Sequence, residues 1–143
     1  MLKNIPPLLG PELLSILRAM GHGDEIAIVD ANYPATAMGT RLVRLDGHSA
    51  TDVLDAVLTV LPLDDFVDHA AFGMAVVGEP DRREPVMDAF DAVIGRHEPG
   101  MTLHLLERFS FYERVRSGFA VVQTGEGRLY GNIILKKGVI RPD

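Results

Sequence analysis

Residues 25–30, Glu-Ile-Ala-Ile-Val-Asp, constrain this chain of 143 residues more than any other stretch. Every interior position of the run is apolar, so as a strand it has no face fit for water. A strand of that kind is covered on both sides, as in a sheet held between two layers of helices. Immediately before it, Gly10-Pro11-Glu12 opens a helix, with proline where its missing N–H is harmless and an acid where the helix dipole favours one. Leu13, Ile16, Leu17 and Met20 then recur at helical spacing up to Gly21.

The same alternation continues down the chain. Thr40 to Leu45 reads as a second strand, and Ser49 with Asp52 starts a helix running through Leu61. Phe72 to Val77 is a third apolar strand, and Pro80 to Glu84 a charged loop. Pro85 opens a helix that turns Val86, Phe90, Val93 and Ile94 inward. Met101 to Leu106 predicts a strand and Ser110 to Ser117 a short helix, with Phe109 and Phe111 read as core. Phe119 to Thr124 and Asn132 to Lys136 predict a terminal hairpin across Gly125-Glu126-Gly127. Helices alternating with apolar strands predict one three-layer α/β domain over residues 1–143, its mixed sheet largely parallel, with an antiparallel part near the end.

Composition narrows the function. Twenty acidic against 14 basic residues give a net charge of −6, with no basic block to neutralise phosphates, so nucleic acid is not an expected partner. The absence of cysteine removes disulfides and thiolate chemistry. No run of about 18 apolar residues predicts a membrane span, and residues 1–7 lack a signal-peptide pattern, so a cytoplasmic protein is expected. Apolar residues nevertheless make up 47% of the chain. That is rich for a lone small globule, and it points to apolar surface buried between copies in a homo-oligomer.

Ligands of open α/β sheets sit beyond the carboxyl ends of strands, which singles out Asp30 with Asn32 and Tyr33 after it. On the other side of the same strand, His22 stands between Gly21 and Gly23. By spacing alone it is equally a solvated turn residue, and Asp30 equally a cap of the next turn. His48, His69, His97 and His104 read as structural. No histidine or carboxylate spacing suits a metal, and no glycine loop suits a nucleotide, so neither metal nor cofactor is expected. A later cluster, Glu107 to Arg114 followed by Tyr130-Gly131-Asn132, mixes aromatic rings with polar forks. Rings beside such forks suit sugars, which present an apolar face and a rim of hydroxyls.

Four ordered segments carry a family resemblance. They are Met20-Gly21-His22-Gly23-Asp24-Glu25, Asp30-Ala31-Asn32-Tyr33-Pro34-Ala35, Glu107 to Arg114 and Tyr130 to Val139. Together they resemble the fucose mutarotase and ribose pyranase family, and the fucose branch more closely. The resemblance implies an α/β domain that assembles into oligomers with sites at subunit boundaries, and an activity that interconverts the anomers of a free sugar without a cofactor. It further implies His22 as the catalytic proton donor, with Asp30, Arg108, Tyr130, Gly131 and Asn132 holding substrate. Position 32 is histidine in some fucose-type members and asparagine here, so no second imidazole carries over to it.

Mutarotation opens a hemiacetal, rotates the C1–C2 bond and recloses on the other face of the carbonyl. It needs one group to take the anomeric proton and one to protonate the ring oxygen, and histidine suits either role near neutrality. Three other readings stand beside it: a sugar-binding accessory of a transport system without turnover, a ribose-type pyranase, and a phosphocarrier using His22.

Overall fold

The computed structural model describes residues 1–143. Its elements run in order: α1 (Pro11–Ala19), β1 (Glu25–Val29), a single 3-10 turn (Thr36–Met38), β2 (Arg41–Leu45), α2 (Ala50–Leu58), β3 (Ala71–Met74), α3 (Pro85–His97), β4 (His104–Leu106), α4 (Arg108–Arg116), β5 (Ala120–Thr124) and β6 (Ile133–Lys136). They build one α/β domain around a six-stranded sheet in the order β2-β5-β1-β6-β3-β4. The helix starts obey their sequence signals. Pro11 and Pro85 open α1 and α3, and Ser49 accepts the Asp52 N–H at the start of α2. Caps of that kind are worth about 1 kcal/mol.

β1 is central, as its composition requires, and its two faces feed two separate cores. Ile26 and Ile28, with Val122, Ile133 and Leu135, face α1, α2 and α3 in a cluster of 29 buried residues. Ala27 and Val29, with Val121, Ile134, Phe72 and Met74, face the 3-10 turn and α4 in a cluster of 11. Alternate residues serve opposite layers because strand side chains alternate by two. Only Phe111 and Val115 of α4 are buried. Phe109, two residues before Phe111, points outward and is exposed, contrary to its reading as core. On a helix, positions two apart do not share a face.

The predicted terminal hairpin does not form. β5 pairs with β1 and β2 in parallel, and β6 pairs with β1 and β3 antiparallel, so β1 lies between them. A central strand needs backbone partners on both edges, and β1 takes one from each side of the 125–132 connection. That connection therefore crosses the end of β1, where Ala31 donates to the Glu126 carbonyl at 3.0 Å. Several predicted elements are also shorter in the structure. α2 ends at Leu58, β3 at Met74, and the strand read over 101–106 covers only 104–106.

The topology decides what meets at the sheet's edges. β1 to β5 all run the same way, so Asp30, Val77 and Arg108 come after β1, β3 and β4 at one edge. β6 runs against them, and Asn132 reaches that same edge just before it. The opposite edge receives His22, ahead of β1, and Asp64. No helix is long and apolar enough to cross a membrane.

Candidate active site

Beyond the carboxyl ends of the parallel strands lies a cleft of about 280 Å³ lined by Asp30, Tyr33, Arg108, Tyr112, Tyr130 and Asn132, with Asn32, Met74, Val77 and Leu129 completing its walls. Drug-sized ligands occupy roughly 300–1,000 Å³, so this hollow suits one small ring.

Asp30 anchors it. The residue is buried, and its backbone N–H donates to Asn132 Oδ1 at 2.9 Å while Asn132 Nδ2 donates to Asp30 Oδ2 at 3.0 Å. The two residues, 102 positions apart, thus hold each other twice. Asp30 Oδ1 also accepts the Asn32 N–H at 3.0 Å. The carboxylate does cap the next turn, and it faces the cleft as well. Burial pushes its pKa above the ordinary carboxylate range, against the lowering effect of Asn32 and Asn132.

Arg108 is the first residue of α4, whose amino end is capped by Glu107 through the N–H groups of Phe109 and Ser110 at 2.9 and 3.1 Å. Its guanidinium lies 4.6 Å from the Phe109 ring centre. Its Nε is buried without a hydrogen-bond partner, the only such side-chain atom in the chain. Buried donors are nearly always satisfied, so this atom has a hydrogen bond still to give. Phe109, turned outward by its helix face, lies against Arg108.

Tyr130 reaches the cleft by an uncommon route. Its φ of 61° is left-handed, a region that residues other than glycine seldom adopt. Its Oη accepts the Val77 N–H at 3.1 Å. One lone pair is thereby tied to the protein, which leaves the phenolic proton free to donate. Gly131 contributes by absence: a Cβ there would stand 2.6 Å from Glu126 Cγ.

His22 is not in this cleft. β1 alone, at about 3.3 Å per residue, separates the two ends by about 13 Å. At its own end Gly23, with φ 86°, supplies the left-handed bend after His22, and Gly21 donates to Asp24 Oδ2 at 2.8 Å. The imidazole is half-exposed and its Nε2 lies 3.1 Å from Oδ1 of the buried Asp64. It packs 5.5 Å from the ring of the exposed Phe66. Burial works to raise the Asp64 carboxyl, yet bonds from the Phe66 N–H and from His22 hold it below the usual range.

The structure thus gathers Asp30, Arg108, Tyr130 and Asn132 in one cleft, with Gly131 beneath, and leaves His22 apart. It adds residues that sequence reasoning missed. Tyr112 stands one helical turn after Arg108, a spacing that was visible. Asp64 sits in Leu63-Asp64-Asp65-Phe66 with no local signal that it meets His22, 42 positions away. Among the other histidines, His97 bonds Asp55 at 2.7 Å, and His69 and His104 stack at 4.1 Å on the surface.

Comparison with known proteins covers nearly the whole chain. Residues 3–140 match the model of the RbsD / FucU transport protein family. The chain is 45% identical to the fucose mutarotase of Homo sapiens over 97% of its length and 94% of that protein. It superposes with a TM-score of 0.90 on the crystal structure of the fucose mutarotase from Streptococcus pneumoniae in complex with L-fucose, at 43% identity, covering 98% of this chain and all of that one. Bacillus subtilis RbsD complexed with D-ribose shares the fold, with a TM-score of 0.75 at 21% identity over 99% of this chain and all of that one.

Proposed function

The chain belongs to the RbsD / FucU transport protein family, and from that premise we propose that it is a mutarotase interconverting the α and β anomers of L-fucose by acid–base ring opening and closure. The observation that carries the reading is the convergence of Asp30, Arg108, Tyr130 and Asn132 on a hollow sized for one pyranose. The identity to fucose mutarotases across nearly the whole chain supports the same reading.

Arg108 Nε and the Asn132 amide hold ring hydroxyls. The Tyr130 proton, turned away from Val77, stabilises charge building on the anomeric oxygen as it becomes a carbonyl oxygen. Asp30, a carboxylate made more basic by burial, takes the anomeric proton. The acid that protonates the ring oxygen is His22, kept in orientation by Asp64. Closure reverses both transfers, and no cofactor enters.

Because one chain keeps His22 at the far edge of its sheet, the imidazole comes from a neighbouring copy in a homo-oligomer. Exposed apolar residues at both edges support this arrangement: Phe66 and Val67 beside His22, and Val77, Phe109 and Leu129 around the cleft. A cytoplasmic location belongs to the same proposal.

The test is saturation-transfer NMR on the anomeric protons of L-fucose, galactose, ribose and rhamnose. Catalytic exchange greatest for L-fucose is expected. Binding without faster exchange of any sugar would instead make the chain a sugar-binding accessory.

A further inference from the structure

The geometry points to Glu126 as a positioning residue, whose buried carboxylate holds the 125–132 connection in the shape that delivers Tyr130 to the cleft. This rests on the mutarotase reading for its effect on rate. Glu126 does not line the cleft, yet it is 4% exposed, unusual for a carboxylate. Its Oε1 accepts Arg128 N and Nε, both at 2.9 Å, and its Oε2 accepts Arg128 Nη2 at 2.8 Å and the Ala50 N–H at 3.2 Å. Ala50 is the first residue of α2, so the carboxylate also meets the positive end of a helix. Its backbone is tied too: the N–H donates to Thr124 Oγ1 at 3.2 Å, and the carbonyl accepts from Ala31, next to Asp30.

These bonds set the path of residues 127–132. Glu126 and Arg128 close the connection on itself, and residue 131 folds directly over the Glu126 side chain, where a Cβ would come within 2.6 Å of Cγ. Gly131 is therefore small to admit Glu126, since its own φ is not left-handed. Tyr130 lies between two clamps, Glu126 on one side and Asn132 locked to Asp30 on the other. Only such a double clamp keeps a tyrosine at φ 61° with its hydroxyl against Val77. An exposed ion pair would hold little. Here the carboxylate is buried though Arg128 is partly in water, so removing its charge weakens the bonds to Arg128 and to the Ala50 N–H at once.

Glu126→Gln, Tyr130→Phe and the double variant test this by anomer exchange and by amide hydrogen exchange at Val77, whose N–H is held by Tyr130. Glu126→Gln is expected to slow mutarotation about tenfold, the loss of roughly one charge-assisted hydrogen bond. In the Tyr130→Phe background the same change should cost less than about twofold, since coupled residues are not additive. The Val77 amide should exchange faster in Glu126→Gln, as in Tyr130→Phe, while Val121 and Val122 in β5 keep their protection. Independent losses that multiply, with Val77 protected as in the wild type, would overturn the assignment. Should Glu126→Gln not fold, Arg128→Gln loosens the same carboxylate and must give the same pattern. A wild-type chain that does not accelerate L-fucose exchange would sink the mutarotase reading alone, because the Val77 amide reports the position of Tyr130 without any sugar.

Discussion

At the carboxyl end of β1, Asp30 is buried, bonded twice to Asn132, and surrounded by an arginine and tyrosines that close a cleft. At the amino end, His22 is half in water, touches one buried carboxylate, and lies outside that cleft. The first end is a cleft without an imidazole, and the second is an imidazole outside that cleft. In the proposed reaction the cleft supplies the sugar's partners and the base, Asp30, and the opposite edge of the sheet supplies the acid, His22.

Removing the imidazole tests that division most severely. His22→Ala should lower anomer exchange by about 10²–10⁴, the usual worth of general acid–base catalysis, while L-fucose affinity, read by chemical-shift titration, stays near wild type. Co-assembly of His22→Ala with Tyr130→Phe chains should then restore part of the activity, because some junctions pair an intact His22 with an intact cleft. Mixed oligomers that remain inactive would show that one copy must supply both ends.

The next largest effect belongs to the cleft. Asp30→Asn keeps an acceptor for the Asn32 N–H but abolishes the base, and exchange should drop about 10²-fold with the fold retained by circular dichroism. A loss confined to affinity would demote Asp30 to a binding role. Asp64→Asn comes after it. Weakening a hydrogen bond to a charged partner is worth about 1.5 kcal/mol, near tenfold, and it should appear in kcat and in the pH–rate profile but not in KM. An unchanged profile would leave Asp64 with a structural role only.

The smallest expected effect is that of acid on the Glu126 clamp behind the cleft. Arg128, against the cost of burial, lowers the Glu126 pKa from 4.5 to about 2. A folded pKa below the unfolded one means that the unfolded chain takes the proton first as pH falls. The stabilisation is therefore present above about pH 4.5 and gone by about pH 2. With Arg128 partly in water, about 1–2 kcal/mol is at stake. Urea midpoints across that range should fall less in Glu126→Gln than in the wild type, and parallel curves would refute the linkage.

Much of the architecture was legible in the residues themselves. The apolar run at β1 demanded two covering layers, and Pro11, Ser49 and Pro85 marked helix starts that the structure keeps. Of the site, Asp30 was singled out by its place at a strand end, where it read equally as a turn cap, and the chemistry of Arg108, Tyr130 and Asn132 left their part open; the structure brings the four to one cleft. The resemblance supplied the roles. What failed was pairing. β5 and β6 look like a hairpin because a glycine-rich turn and two apolar runs are local signals, whereas the demand of β1 for partners on both edges is not. Phe109 and Phe111 look alike in composition, and only the helix face separates a core ring from one that backs an arginine.

Periodicity, caps and side-chain chemistry are local properties, and from them the residues spell one α/β layer structure with a sugar-suited set of polar and aromatic groups. Folding in three dimensions is what makes Asn132 lock Asp30, brings Asp64 to His22, and sets His22 at the opposite edge from the cleft. Those are consequences of strand order and direction, and contacts across 42 or 102 positions leave no periodic trace in the chain that makes them.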